Sequence, residues 1–274
     1  MSQMTMNRRV ATLAALAAFS LSVLIPGGTV YAGPTAEEIM NKWAEARKLD
    51  GSEAVVKMNI IDDKGNSRSR EISMATKLFD GGKTEKRIYR FLAPADVKGT
   101  GVLVYDYEEK ADDIWVFLPA LRKSRRVVSS ERSKSFMGSE FCYADLNIPE
   151  LKDYTYKIAK EEKLGGADCW VIEVLPKTTE VGSSEGYSKK MYWIEKANYA
   201  VRKGEFFDTK GALFKVLTAD NVKLVDPGKK RYRTMKMEMV NKQNGRKSLF
   251  ETTKIANAPD TKDEYFTTGY LERP

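Results

Sequence analysis

The residues of this chain that could carry out chemistry are concentrated in one stretch, SERSKSFMGSEFCYADL, at positions 130–146. Its serines and lysine suggest a catalytic serine, and Glu140 and Asp145 suggest a pair of acid–base carboxylates. A Ser-x-x-Lys site needs both residues on a helix beside a partner base, and the stretch lacks that spacing. A phosphate-binding loop needs a second glycine before Lys-Ser/Thr, whereas Gly138 stands alone. We therefore interpret the carboxylates as ordinary loop charges and predict no catalytic residue.

The sequence contains no histidine. This absence removes Ser-His-Asp and Cys-His nucleophile pairs, His-ligated zinc and histidine-based proton transfer. We therefore expect no metal site and no cofactor, and we predict that the protein is not an enzyme.

The N-terminus has the pattern of a secretory signal peptide. Arg8 and Arg9 precede an apolar run at residues 10–25, which Pro26 breaks, and small residues lead up to a cleavage position after Ala32. The run is short for a membrane span, which needs about 20 apolar residues, so a transmembrane anchor is the weaker interpretation. We predict a cleaved signal peptide at residues 1–32 and an exported, periplasmic chain at residues 33–274 that forms a single domain.

Charge and cysteine content agree with an exported protein. The formal net charge is +8, the positive residues are spread among many acidic ones, and this favours a solvated surface over nucleic-acid binding. In an oxidising compartment, Cys142 and Cys169 form either a disulfide or two separately buried thiols. Bridging requires Cα atoms within about 7 Å, so the sequence leaves both possibilities open.

The elements that must position the 130–146 stretch are mostly strands. One helix is predicted at residues 35–49, where Thr35 and Glu38 form a capping box. After it come about ten short strands joined by hairpin signals, including Asn244-Gly245. No strand alternates with a helix, so we predict a mainly β fold with one antiparallel sheet that curls around its apolar face. Several methionines fall in these strands, and flexible thioethers suit the wall of an apolar cavity.

Two segments resemble a known family. WVFLPALRKSRRVVSSERSKSFMGSEFCYADL, at residues 115–146, and MYWIEKANYAVRKGEFFD, at residues 191–208, are similar to the outer membrane lipoprotein-sorting protein family, whose members are relatives of the periplasmic lipoprotein carrier LolA. The resemblance implies an incomplete, strongly curved β-barrel with a helical plug and a hydrophobic cavity between them.

The same resemblance implies a function. It suggests a monomeric periplasmic carrier, not integral to the membrane, that holds acyl chains of a lipoprotein or lipid and moves them toward the outer membrane. Inner-membrane transporters of the RND/MMPL type are plausible partners by this resemblance. The alternative is an accessory subunit of such a transporter that does not ferry a ligand.

We assign candidate site residues on this basis. Aromatic residues and methionines are predicted to line the cavity or its mouth: Phe136, Met137, Phe141, Tyr143, Trp115, Met191 and Trp193. Basic residues are predicted to contact a headgroup or a protein partner: Arg122, Arg125 and Arg126. Gly138 is expected to allow the backbone to turn.

Overall fold

The structure, a computed structural model, describes Met1 and residues 33–273. Except for Met1, the predicted signal peptide lies outside the described residues. The described residues form three α-helices: α1 (Ala36–Arg47), α2 (Thr179–Glu185) and α3 (Thr268–Leu271). The strands of the described residues are β1 (Gly51–Ile61), β2 (Ser67–Phe79), β3 (Thr84–Ala93), β4 (Gly101–Tyr107), β5 (Asp113–Leu118), β6 (Lys123–Arg126), β7 (Tyr154–Leu164), β8 (Ala167–Pro176), β9 (Lys189–Glu195), β10 (Val201–Phe207), β11 (Leu213–Asp226), β12 (Arg231–Asn241) and β13 (Lys247–Asn257).

All of these strands belong to one antiparallel sheet. Their order across the sheet is β6-β5-β4-β3-β2-β1-β13-β12-β11-β10-β9-β8-β7. The two edge strands, β6 and β7, do not pair with each other, so the sheet remains open. The predicted fold class, a mainly β protein with a single curved antiparallel sheet and few helices, is confirmed.

The chain enters this sheet at its centre and reaches one edge at β6. It then passes to the opposite edge through residues 127–153, which we call the crossing segment, before returning to the centre by successive hairpins. The 130–146 stretch therefore lies within the connection between the two edges. That position explains why it shows no strand alternation.

Helix α1 forms as its sequence predicts. The Thr35 amide donates to the Glu38 carboxylate at 2.9 Å, and the Glu38 amide donates to the Thr35 hydroxyl at 3.2 Å, which completes the predicted capping box. The buried side of the helix carries Ile39, Met40 and Trp43, with helical spacing. This side packs against the sheet, so the helix covers part of one sheet face.

The two faces of the sheet have separate cores, because alternate residues of a strand point to opposite faces. The inner face, which α1 and the crossing segment cover, includes Met58, Ile72 and Phe91. The outer face carries a smaller cluster beneath residues 258–273, which we call the C-terminal segment. Arg90 anchors this segment by donating to the carbonyl oxygen of Leu271 at 2.9 Å.

The shortest strand, β6, lacks the alternation from which the sequence predicted about ten strands. Its four residues, Lys-Ser-Arg-Arg, are largely exposed and pair with β5 at the edge of the sheet. Charged side chains on a short edge strand discourage pairing with other chains, and they also hide the apolar alternation typical of strands.

None of the helices within residues 33–273 is long and apolar enough to cross a membrane.

Candidate binding cavity

A cavity of about 260 Å³ lies between the inner face, α1 and the crossing segment. Helix α1 contributes Trp43, and the crossing segment contributes Phe141 and Leu146. The sheet supplies a wall of apolar residues on neighbouring strands: Val56, Ile72, Met74, Leu217, Met237, Met239 and Phe250. Three parts of the chain that are distant in sequence thus enclose one largely apolar space.

The crossing segment is attached to the centre of the sheet by aromatic packing. The rings of Phe141 and Phe250 are stacked, with centroids 4.4 Å apart and planes 16° apart. Phe136 is almost completely buried and lies 5.8 Å from the ring of Tyr143 and 6.3 Å from that of Phe250. Aromatic pairs of this kind stabilise the fold by more than the burial of their apolar area alone. The segment therefore forms a packed cover over the inner face.

A tight turn shapes this cover. Ser135 and Cys142 form an isolated antiparallel β-bridge through their backbones. Between them the chain reverses at Met137 and Gly138, which have φ angles of 51° and 82°. A positive φ is costly for a residue with a side chain and readily adopted by glycine, which explains why Gly138 is needed here. Arg70 of β2 donates a hydrogen bond to the carbonyl oxygen of Met137 and fixes the turn to the sheet.

Glu140 makes the second polar attachment of the cover. Its carboxylate accepts a hydrogen bond from Asn241 Nδ2 at 2.9 Å and lies 3.1 Å from Arg246 Nε, while its amide donates to Ser248 Oγ at 2.9 Å. These partners lie on or beside β12 and β13. Because Glu140 is buried and paired, its role in the structure is attachment of the cover.

The predicted site residues of the crossing segment lie at different depths. Phe141 lines the cavity itself. Phe136 and Tyr143 are buried in the adjoining part of the inner core, and Met137 packs against the same part while half-buried. Of these four residues, only Phe141 has direct access to the enclosed space.

The other three predicted cavity residues lie on the outer face. Trp115 packs with Tyr105, at 4.9 Å between ring centroids, in the cluster beneath the C-terminal segment. Met191 and Trp193 belong to a second outer cluster with Cys169. Strand alternation is the physical reason, because these residues occupy the strand positions that point away from α1. We therefore leave Trp115, Met191 and Trp193 out of the binding site.

The predicted basic contacts surround the β5–β6 turn. Arg122 has a φ of 48° and lies in that turn, and Arg125 and Arg126 are exposed. Arg125 forms an ion pair with Glu131 at 2.8 Å, and Arg126 pairs with Asp113. The turn also exposes the side chain of Leu121. None of the three arginines is a lining residue of the cavity.

Both cysteines are buried thiols. Cys142 lies in the cover, where its Sγ is 3.7 Å from the Tyr187 hydroxyl, whereas Cys169 belongs to the outer cluster. The sheet separates them, so the possibility of two separate thiols is the correct one. Burial raises the pKa of Cys142 to about 12.

Buried and half-buried charges at one end of the cavity are the feature that the sequence interpretation missed. Arg47, Glu85, Arg87 and Arg233 all line it. Glu85 lies 3.7 Å from Arg87 Nε and 3.5 Å from Arg233 Nη2, and Arg87 also pairs with Asp106. Burial raises the pKa of Asp106 to about 7 and lowers that of Arg233 to about 10. The cavity is therefore apolar along the sheet and cationic at this end.

A signal for these charges exists in the sequence. In β12, Arg233 has the same alternation as Met237 and Met239, and in β3, Arg87 has the same alternation as Phe91. A charged residue in phase with the apolar positions of a strand must either pair or face a cavity. Reading charge phase strand by strand would have identified both arginines.

The structure also contains a second, more open groove of about 470 Å³ on the outer face. It runs over β1, β2, β3 and β13 beside Tyr265 and Tyr270 of the C-terminal segment. Charged residues, including Glu53, Arg90 and Lys254, line it. Because it is more open and more polar than the inner cavity, it is the weaker candidate for an acyl chain. No cluster of metal-binding side chains occurs among the described residues.

Comparison with known proteins identifies relatives over most of the chain. A family model described as an uncharacterized protein matches residues 83–273. A crystal structure of an outer membrane lipoprotein-sorting protein domain from Vibrio parahaemolyticus is 32% identical, with a TM-score of 0.79, and the match covers 87% of this chain and 98% of that one. A DUF1329 family protein from Desulfovibrio piger is 26% identical, also with a TM-score of 0.79, over 86% of this chain and 97% of that one.

A more distant structure extends the likeness in fold. A LolA superfamily protein from Nitrosomonas europaea is 22% identical, with a TM-score of 0.64, over 86% of this chain and 99% of that one. No curated protein matches the sequence significantly. The resemblance first noted at residues 115–146 therefore extends over most of the fold.

Proposed function

This chain belongs to the outer membrane lipoprotein-sorting protein family and has a LolA-like fold, and from these premises we propose that it is a periplasmic carrier of acyl chains. Its cargo is a lipid or the acyl chains of a lipoprotein, held in the inner cavity. The carrier moves this cargo toward the outer membrane. In this proposal residues 1–32 are a cleaved signal peptide and residues 33–274 are one lipid-binding domain.

One observation carries the proposal: a wall of methionine and aromatic side chains on the inner face lies beneath a cover that is attached by packing and by a few polar contacts. Removing one acyl CH₂ from water contributes about 0.8 kcal/mol, so an apolar wall is the main requirement for holding a chain. Flexible methionines, such as Met237 and Met239, can adapt to chains of different shape.

The size of the cavity supports a carrier that opens. Its volume of 260 Å³ falls below the range of about 300–1,000 Å³ that is typical of pockets enclosing small molecules. A long acyl chain therefore needs the cover to shift outward. Arg70 and Glu140 make two of the polar contacts that such a shift would break.

The exposed basic turn supplies the contact with a partner in this proposal. Arg122, Arg125 and Arg126, beside the exposed Leu121, form a surface suited to an anionic headgroup or to an acidic protein surface. An inner-membrane transporter of the RND/MMPL type is the partner that we propose for it. Loss of all three charges should impair delivery while leaving acyl-chain affinity unchanged.

Native mass spectrometry of protein purified from its host periplasm tests the proposal. We expect lipid to remain bound to the wild-type protein. Met237→Asp places a charge in the cavity wall and should abolish retention, whereas Met191→Asp makes the same change at a half-buried methionine of the outer face and should not. Wild-type protein free of lipid, despite exposure to its native membranes, would contradict the carrier and favour the accessory subunit.

A further inference from the structure

The cationic end of the cavity carries an inference about the ligand. Arg47, Arg87 and Arg233 reach the same space from α1, β3 and β12. Three guanidinium groups beside an apolar wall are costly, because a buried charge loses its hydration unless a partner compensates it. The distribution of partners among these arginines therefore decides which of them is available to a ligand.

Both terminal nitrogens of Arg87 donate to protein groups, whereas its Nε has no hydrogen-bond partner among the described residues. It pairs with Glu85 and Asp106, donates to the Leu146 carbonyl oxygen and donates to Asn147 Oδ1 at 3.1 Å. Leu146 and Asn147 belong to the crossing segment. Arg87 therefore attaches the cover to the sheet, and its charge is balanced without a ligand.

Arg233 and Arg47 are less well balanced. Arg233 has one ion-pair partner, Glu85 at 3.5 Å, which it shares with Arg87. Within residues 33–273, the half-buried Arg47 forms no ion pair and no hydrogen bond through its side chain, and its guanidinium lies 5.2 Å from the centre of the Trp43 ring. Glu85 and Asp106, the carboxylates that pair with these arginines, thus carry one charge fewer than Arg47, Arg87 and Arg233 together.

An anion from the ligand would compensate this excess. A guanidinium binds a carboxylate or a phosphate through paired, charge-assisted hydrogen bonds, and these are stronger in a site screened from water. The apolar wall of Leu217, Met237 and Phe250 lines the same cavity. An amphiphile could therefore satisfy both parts of the cavity at once.

We propose that the cargo has an anionic end group, a carboxylate or a phosphate, which Arg47 and Arg233 bind while its acyl chain lies along the apolar wall. This inference rests on the proposed carrier function and narrows its ligand class. A neutral chain end would leave Arg47 without an anionic partner in the cavity. The protein consequently distinguishes acidic amphiphiles from neutral ones of the same length.

Calorimetric titration with three dodecyl compounds tests the inference at neutral pH. Laurate, dodecyl phosphate and dodecanol share one chain and differ in their end group. We expect the wild-type protein to bind at least one of the two acids at least tenfold more tightly than dodecanol, the approximate value of one charge-assisted contact. Whichever of laurate and dodecyl phosphate binds more tightly identifies the preferred end group as a carboxylate or a phosphate.

Two variants locate the effect. Arg47→Gln combined with Arg233→Gln should remove the preference, so that the acids bind no more tightly than dodecanol. Arg68→Gln, which removes an exposed arginine of β2, should preserve the preference. Equal wild-type affinity for dodecanol and both acids would overturn the anion site while leaving the carrier intact. Failure of all three compounds to bind would overturn the carrier as well.

Discussion

Phe141 of the crossing segment lies flat on Phe250 of β13, with ring centroids 4.4 Å apart. The contact joins the connection between the two edge strands to a strand near the centre of the sheet. It also contributes to the cavity, because both rings line it. The same contact therefore holds the cover in place and provides part of the surface that the proposed cargo would touch.

The Phe141–Phe250 stack should be measurable as a coupling between the two residues. We expect Phe141→Ala to lower the free energy of unfolding by about 3–5 kcal/mol, as for other large buried aromatics. In a double-mutant cycle with Phe250→Ala, the coupling energy should be about 0.5–1.5 kcal/mol, measured by urea denaturation. Strictly additive effects would show that the rings do not interact in solution.

The buried ion pair between Glu185 and Lys190 predicts an asymmetry between single and double variants. Both side chains are only 7% exposed, and Lys190 also lines the cavity. Glu185→Ala should cost about 3–5 kcal/mol, because it leaves a buried ammonium without its partner. Combining Glu185→Leu with Lys190→Met should cost less than that single change in the same denaturation assay. A double variant less stable than Glu185→Ala would contradict this account.

The carboxyl group of Asp106 predicts a dependence of stability on pH. Burial raises its pKa in the folded protein to about 7, whereas an unfolded aspartate has a pKa of about 3.9. Between these values the folded state retains a proton that the unfolded state has lost. The free energy of unfolding should therefore fall as pH rises from about 4 to about 7.

Asp106→Asn should flatten this part of the stability profile. Glu150 contributes a slope of the same sign, because burial also raises its pKa to about 7, and the combined variant with Glu150→Gln should flatten the profile further. The measurement is a series of urea unfolding curves at fixed ionic strength. If the free energy of unfolding of Asp106→Asn fell with rising pH as steeply as that of the wild type, the assigned role of this carboxyl group would be excluded.

The buried thiols predict slow alkylation of the native protein. Cys142 and Cys169 form no disulfide, and burial raises the pKa of both. Iodoacetamide should modify neither in folded protein at neutral pH and both in urea without added reductant. A mass spectrum that requires reductant before either thiol reacts would demonstrate a disulfide and contradict this arrangement.

The sequence predicted the local structure well. The capping box at Thr35, the antiparallel hairpins and the turn at Gly138 depend on interactions between neighbouring residues, which the sequence displays directly. The motif at residues 115–146 identified the family correctly. Each of these features can be recognised without knowing which residues meet across the fold.

The sequence did not show which face of the sheet each apolar strand residue would occupy. Trp115 and Trp193 are as apolar as the residues of the cavity wall, but they lie beneath other parts of the chain on the outer face. The alternation of side chains along a strand divides its residues between two faces, but it does not show which face α1 covers. The cavity-lining arginines at positions 47, 87 and 233 come from three distant elements, so only the assembled fold brings them together.

The central claim is that an acyl chain occupies the inner cavity, and photo-crosslinking locates the chain directly. The wild-type protein would be irradiated with a fatty acid that carries a diazirine near its methyl end, and the modified peptides would be identified by mass spectrometry. We predict adducts in the peptides that contain Trp43, Leu217 or Met237. Adducts confined to the outer groove, at Tyr265 and Tyr270, would contradict the account.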